Sequence, residues 1–225
     1  CPSWSPDGTR IAYATGRDAG EPRVMITDAR GAGGEDSLAH RAGNREVPLQ
    51  WVASDSSLLV ITTGATSNLD LELESLRPDH AFRAVVNGPS AEHHGQVSPD
   101  GRWIAYASNA AGRTEVYVQQ VNGHGIPQQV SEHGGTVPQW TKGGRELVYE
   151  AEDGALVAIA VGGTSAAEVG ARQRLFSLPL RTTMRNRNAW APTADGTRFV
   201  VSVPTAHPEW AIRVVSDLTA ERARP

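Results

Sequence analysis

Hydrophobic and polar residues alternate along this chain of 225 residues, and one pattern returns about every 45 residues. The sequence WSPDGTRIAY at residues 4–13 returns as VSPDGRWIAY at residues 97–106. Weaker copies occupy residues 140–149 and 195–201, and a degenerate copy occupies residues 51–61. Each copy places large apolar side chains at alternate positions with smaller ones between them. This pattern is typical of a β-strand that is buried on both faces.

A turn comes before the buried strand of each copy, because proline presets the φ angle of a type I turn and glycine closes it. A third strand of each unit is predicted at residues 23–27, 69–74, 114–121, 155–161 and 211–215. A fourth strand is predicted at residues 82–86, 126–131 and 173–177. Four short antiparallel strands in about 45 residues make a propeller blade. The sequence therefore predicts an all-β fold, a β-propeller of four-stranded antiparallel blades.

Composition and charge narrow the range of partners. A net charge of -4 at pH 7 argues against a nucleic-acid surface, which would need a basic stripe. The longest apolar run, residues 155–161, is far shorter than the ~20 residues of a membrane-spanning helix, so we expect no membrane contact from this segment. Cys1 is the only cysteine, which rules out an intrachain disulfide and a cysteine zinc site.

Catalytic chemistry is sparse in this sequence. It contains no Gly-x-Ser-x-Gly nucleophile elbow, no Gly-rich phosphate loop and no His-Arg-Asp kinase sequence. His93 and His94 are adjacent, and neighbouring residues of a regular strand point to opposite faces, which disfavours a shared metal ion. We therefore expect no catalytic residue, no cofactor and no metal site. The tryptophans ahead of the turns are interpreted as packing anchors: Trp4, Trp51 and Trp140.

The motif Trp-Ser-Pro-Asp-Gly-x-x-Ile-Ala-Tyr at residues 4–13 resembles the TolB-like propeller repeat, a relative of the WD-repeat class. This resemblance spans nearly the whole chain. A narrower resemblance, at residues 109–118, 128–131 and 138–149, is to the propeller that ends many bacterial eukaryotic-like Ser/Thr protein kinases. Residues 212–215 resemble the terminal segment of that propeller, although they lack its Asn-Trp pair.

The resemblance implies a ring of six or more blades, whereas this chain holds five units, which start near residues 2, 48, 94, 137 and 188. We therefore expect residues 1–225 to form part of one propeller, with at least one blade upstream. An open ring would expose edge strands and one apolar blade face.

The resemblance also implies a non-catalytic sensory or protein-interaction module, and it favours the C-terminal part of a bacterial Ser/Thr kinase. One alternative is a free-standing periplasmic TolB-like protein that binds partner peptides or lipoproteins in its channel. Another is the gating propeller of a prolyl-oligopeptidase-like serine peptidase. The family resemblance favours an extracytoplasmic, periplasmic location.

Propeller geometry also predicts where a partner would bind. The first strand of each blade lines the central channel, so the residues just before these strands converge on one channel mouth. The predicted mouth is polar and somewhat basic, and its arginines suit carboxylates or phosphates. We expect a protein or peptide ligand at this mouth, a solvated loop rim being the alternative. The candidate residues are Arg45, Glu46, His93, His94, Arg185 and Arg187, with Ser3, Glu92, Gly135, Thr136, Asn186 and Asn188 beside them.

Overall fold

The computed structural model describes most of the chain. The described residues are 2–16, 22–31, 33–38, 41, 43–52, 56–63, 68–123, 125–164, 167–178, 190–204 and 210–215, with residues 203–204 and 210–215 described by their backbone alone. In these ranges the chain forms β-strands and one short 3-10 turn at Lys142–Gly144, and no helix is long and apolar enough to cross a membrane.

The strands form five consecutive sheets. The first sheet contains β1 (Ser3–Trp4), β2 (Arg10–Thr15), β3 (Arg23–Asp28) and β4 (Asp36–Ser37). The second contains β5 (Arg45–Val52), β6 (Ser57–Thr63), β7 (Leu69–Ser75) and β8 (Phe82–Val86). The third contains β9 (Glu92–Val97), β10 (Trp103–Ser108), β11 (Glu115–Gln120) and β12 (Gln128–Gln129). The fourth contains β13 (Gly135–Thr141), β14 (Glu146–Ala151), β15 (Ala155–Gly162) and β16 (Glu168–Ser177), and the fifth contains β17 (Trp190–Pro192), β18 (Phe199–Pro204) and β19 (Trp210–Val215).

Each sheet is antiparallel and its strands follow one another in chain order, as in a propeller blade. The predicted all-β fold of four-stranded antiparallel sheets is confirmed. The short strand β4 was not predicted, because Asp36 and Ser37 show no apolar alternation. Strand β12 is two residues long, whereas residues 126–131 were predicted, and β16 is longer than the predicted 173–177.

The turn before the second strand is built by side-chain hydrogen bonds. Asp7 Oδ1 accepts from Ser5 Oγ at 2.6 Å and from the main-chain N–H of Thr9 at 3.0 Å. These bonds lower the pKa of Asp7 to about 2, and Gly8 closes the turn with a φ of 70°. Asp100 and Asp195 accept the same pair of bonds in their own turns. The carboxyl of each Asp-Gly turn is therefore a structural acceptor.

The core lies between successive sheets and is centred on their second strands. All six residues of β10 are buried, and so are five consecutive residues of β6, Leu58 to Thr62. Leu59 and Ile61 pack in one cluster with Ile104 and Tyr106 of the next sheet. The apolar side chains predicted on both faces of these strands thus join each sheet to its neighbours.

Tryptophans of the first strands link neighbouring sheets. Trp51 is 4% exposed, and its Nε1–H donates to the main-chain oxygen of Ser3 at 2.9 Å. Trp140 is 8% exposed, and its Nε1–H donates to the main-chain oxygen of Gln96 at 3.0 Å. Trp4 holds the same place in the first sheet, but it is 59% exposed. The predicted packing role is therefore right for Trp51 and Trp140 and wrong for Trp4, because no sheet of the described structure lies on the outer side of β1.

These tryptophans provide a matched test of the link between sheets. Trp51→Phe keeps an aromatic ring but removes the donor to Ser3, and we expect it to lower the free energy of unfolding by about 1–2 kcal/mol. Trp4→Phe should change it by less than ~0.5 kcal/mol, because the ring is mostly solvated. Urea unfolding followed by fluorescence and circular dichroism measures both values. Equal losses in the two variants would contradict the assigned role of Trp51.

Candidate functional site

The predicted channel-mouth residues do not all come together. Arg185 and Arg187 lie outside the described residues, and so do Asn186 and Asn188. The first strands of successive sheets contact one another, which places their beginnings on one side of the array. Of the four described candidates, His93 and His94 contact each other, and Arg45 is exposed at the start of β5.

His93 and His94 lie at a bulge in β9. The strand pairs Ala107 with His93 and Ala105 with Gln96, so two residues of β9 stand opposite one residue of β10. His94 has a φ of 53°, which turns its side chain away from regular alternation. The Nδ1 atoms of the two histidines are consequently 2.7 Å apart. The expectation that these side chains point to opposite faces is wrong, because it assumed a regular strand.

Gly95, the other residue of the bulge, lies against the second sheet. A Cβ atom at this position would lie 2.8 Å from Leu71 Cδ1 and 3.3 Å from Leu59 Cδ2 of the second sheet. The backbone of β9 therefore packs directly on the apolar core beside it. The next first strand, β13, has an equivalent bulge, in which Val137 has a φ of 51°. The bulge is thus a recurring feature of the inner strands.

The two imidazoles form a half-buried polar cluster with Thr136 of the next sheet. Thr136 Oγ1 lies 3.3 Å from His94 Nδ1, and the two imidazole rings meet edge to face. Burial, with a smaller effect of His93, lowers the pKa of His94 to about 4, and burial also lowers the pKa of His93. Both rings are therefore neutral at pH 7, where each carries one N–H donor and one acceptor nitrogen.

Glu46 does not lie at the mouth. Its side chain is buried, and Oε1 accepts from Arg41 Nε at 3.4 Å. Arg41 also binds Glu72 through its guanidinium group and stacks on the ring of Phe82, with Cζ 4.0 Å from the ring centroid. Glu46 was predicted at the rim because it stands near the start of β5. The alternation along β5 instead turns it into the second sheet.

Glu74 completes this carboxyl cluster. The residue is fully buried, and neither carboxyl oxygen has a hydrogen-bond partner within the described part of the chain. Burial, followed by the charge of Glu46, raises the pKa of Glu74 to about 8. Glu74 is thus protonated at neutral pH and carries no charge beside Glu46 and Glu72.

Glu92 also turns away from the mouth. Its side chain is buried, and Oε1 accepts from Ser108 Oγ of β10 at 3.0 Å.

Three glutamines that the sequence did not single out form contacts between the inner strands. Gln50 donates from Nε2 to the main-chain oxygen of Val97 at 3.1 Å and accepts from the Val97 N–H at 2.7 Å. Gln96 donates to Gln139 Oε1 at 2.9 Å. The signal that could have found them is their shared place, one residue before Trp51, Val97 and Trp140.

The side chains of the described site are therefore suited mainly to form hydrogen bonds. The described residues contain no group of three or more His, Cys, Asp or Glu side chains placed to hold a metal ion. Neutral imidazoles, a threonine hydroxyl and glutamine amides are suited to bind main-chain amides or hydroxyl groups of a ligand.

Comparison with known proteins agrees with this geometry. The family model for the TolB beta propeller domain matches residues 1–201. The chain belongs to the TolB β-propeller family. The Tol-Pal system protein TolB of Bordetella pertussis is 27% identical to it in an alignment of 137 positions that covers 54% of this chain and 27% of that protein. The same protein of Bordetella bronchiseptica gives the same values. The chain thus spans little more than a quarter of these curated TolB proteins.

Solved structures share the fold of this TolB-family chain. The crystal structure of TolB from Acinetobacter baumannii superimposes with a TM-score of 0.68 at 16% identity, over 96% of this chain and 51% of that one. An oligogalacturonate lyase in complex with manganese superimposes with a TM-score of 0.65 at 13% identity, over 96% of this chain and 64% of that one. At these identities the likeness concerns the fold alone.

The buried imidazole makes stability depend on pH. The unfolded chain protonates His94 near pH 6.5, whereas the folded protein does so near pH 4, so unfolding takes up a proton between these values. The free energy of unfolding should therefore fall as the pH drops from about 6.5 to about 4. His94→Gln should reduce the proton uptake on unfolding by nearly one proton, so the free energy of unfolding of the variant should depend less steeply on pH. Urea titrations at pH 4, 5.5 and 7 measure the slope, and parallel curves for the wild type and the variant would contradict the assignment.

Glu74 should make the free energy of unfolding depend on pH with the opposite sign, and at higher pH. The unfolded chain ionises this carboxyl near pH 4.5 and the folded protein near pH 8, so stability should fall as the pH rises through this window. Glu74→Gln keeps the shape and removes the titration, and we expect the variant to unfold at higher urea than the wild type at pH 9. Asp153→Asn, at an exposed turn, is the control and should leave the pH dependence unchanged. A wild-type curve that is flat from pH 5 to pH 9 would contradict the prediction.

Proposed function

We propose that this TolB-family chain is a non-catalytic module that binds a protein or peptide at the beginnings of its first strands. The observation that carries the proposal is the cluster of His93, His94 and Thr136, which joins the third and fourth sheets. The chain offers no nucleophile elbow, phosphate loop or kinase sequence, so binding is the activity that these groups support.

The cluster has the chemistry of a peptide-binding surface. The two Nδ1 atoms face each other, and among the described residues no group hydrogen-bonds to the Nε2 atom of either ring. Each neutral ring can therefore present Nε2 to a main-chain amide. Arg45, exposed at the start of β5, adds a cation for a carboxylate. Hydrogen bonds of this kind fix the register of a bound strand or loop.

Three settings were expected from the sequence, and we favour the free-standing TolB-like protein outside the cytoplasm. Support comes from the curated relatives, which are Tol-Pal system TolB proteins. Attachment to a Ser/Thr kinase and gating of a serine peptidase stay predictions. Each of these would require further domains in the whole protein.

Site-specific crosslinking in cells that produce the whole protein tests the binding surface. A photoreactive phenylalanine analogue replaces Thr136 at the mouth or, as the control, Arg145, which is exposed at the other end of the fourth sheet. We expect Thr136 variants to form one dominant crosslinked species and Arg145 variants to form none. Adding His94→Gln to the Thr136 variant should reduce this species at least fivefold. Equal crosslinking from both ends of the sheet would overturn the proposal.

A further inference from the structure

A second site of a different kind lies between the second and third sheets. It is a pocket of about 500 Å³, a volume in the range of small-molecule sites. The loop at residues 87–90 after β8 forms one wall, and Gly123, Gly125 and Pro127 after β11 form the other. Val85, Val86 and Tyr117 give the pocket an apolar side. This pocket is separate from the cluster of His93, His94 and Thr136.

Glu92 supplies the charge of the pocket. The residue lines the pocket and is 4% exposed, and its Oε1 atom accepts from Ser108, which also lines the pocket. Its Oε2 atom is buried and has no hydrogen-bond partner among the residues that the structure describes. A buried carboxylate oxygen without a partner is costly, and proteins normally supply a donor or a cation. In the second sheet Glu46 holds the same place, and it has Arg41.

The described groups around Glu92 do not supply a cation. None of the described residues that line the pocket is basic. The charged group that acts on Glu92 is Asp70 of β7, which accepts from the Gly88 N–H and has a buried Oδ1 atom with no hydrogen-bond partner among the described residues. Burial, and then the charge of Asp70, raises the pKa of Glu92. Two tyrosines are the other titratable side chains among the described lining residues. Burial and Glu92 raise the pKa of Tyr106, whose neutral hydroxyl donates to Gln119 Oε1 at 3.1 Å, and burial and Glu115 raise the pKa of Tyr117.

We propose that this pocket binds an organic cation, with an ammonium or guanidinium group at the Glu92 carboxyl and an apolar part against Val85, Val86 and Tyr117. The cation would satisfy Oε2 of Glu92 and offset the repulsion from Asp70. The size and the apolar side of the pocket fit a molecule with a ring or chain better than a bare metal ion.

Paired ligands test the proposal directly. Tyramine carries a phenol ring and an ammonium group, and 4-ethylphenol has the same ring and chain length without the charge. We expect saturable binding of tyramine in isothermal titration calorimetry at pH 7.5, and at least tenfold weaker binding of 4-ethylphenol. Because a proton and the ligand compete for the Glu92 carboxyl, tyramine affinity should fall as the pH drops below the raised pKa.

Matched variants test which carboxyl group binds the cation. Glu92→Gln should weaken tyramine binding at least tenfold, and Asp70→Asn, farther from the pocket, should weaken it about threefold. Asp153→Asn removes one carboxylate from an exposed turn and should leave the affinity unchanged. Circular dichroism and urea unfolding verify that each variant is folded. If Glu92→Gln does not fold, Asp70→Asn and the neutral ligand still decide the question.

Two further titrations, with Nα-acetyl-lysine amide and with calcium, identify the source of the cation and test the alternative sites. Binding of Nα-acetyl-lysine amide with an affinity similar to that of tyramine would indicate a lysine side chain of a partner protein, and binding of tyramine alone would indicate a free amine. Equal affinity for tyramine and 4-ethylphenol would overturn the proposal in favour of an apolar pocket. Calcium binding that depends on Glu92, without tyramine binding, would overturn it in favour of a metal site. None of these outcomes bears on the crosslinking test at Thr136.

Discussion

Bonds from side chains to the main chain of a neighbouring first strand are the interaction on which the array of sheets depends. Each first strand is the edge of its own sheet, so its outward main-chain groups lack a strand partner. Gln50, Trp51 and Trp140 satisfy such groups across the junction. A buried main-chain group left unpaired would cost ~1–3 kcal/mol, so these bonds fix the relative positions of the sheets. The cluster of His93, His94 and Thr136 follows from the same constraint, because these residues stand on the strands that are held together.

The sequence predicts the sheets well where period-two alternation and turn chemistry act together. Residues 104–106 were expected to be buried on both faces, and they lie in β10, all of whose six residues are buried. The repeated Asp-Gly turns were expected to be structural, and Asp7 accepts the bonds that build its turn. Trp4 shows the limit of this reasoning. Its residue type and repeat position match those of Trp51, and its exposure differs because burial depends on the neighbouring sheet and not on local sequence.

The site was less predictable, because it depends on departures from regular strand geometry. Alternation placed His93 and His94 on opposite faces, but the bulge at His94 brings their Nδ1 atoms together. Gly95 signals only the close approach of this strand to the second sheet, because the equivalent bulge of β13 has Pro138 at this position. Glu46 and Glu92 were placed at the rim by their position in the chain. Their burial depends on which way the pleat turns each side chain, and this requires the start of each strand to be known within one residue.

Equivalent positions of successive sheets show which features the fold requires. Glu46 stands opposite Thr62 in the second sheet and Glu92 opposite Ser108 in the third, whereas Gly135 stands opposite Ala151 in the fourth. A Cβ atom at Gly135 would lie 2.7 Å from Ser131 Cβ. In the fourth sheet this space is therefore occupied by the side chain of Ser131, which follows β12 in the chain. The sheet therefore forms without a carboxyl at this position. Because the fold does not require the unpaired oxygen of Glu92, its burial beside an open pocket is better explained by a ligand than by stability.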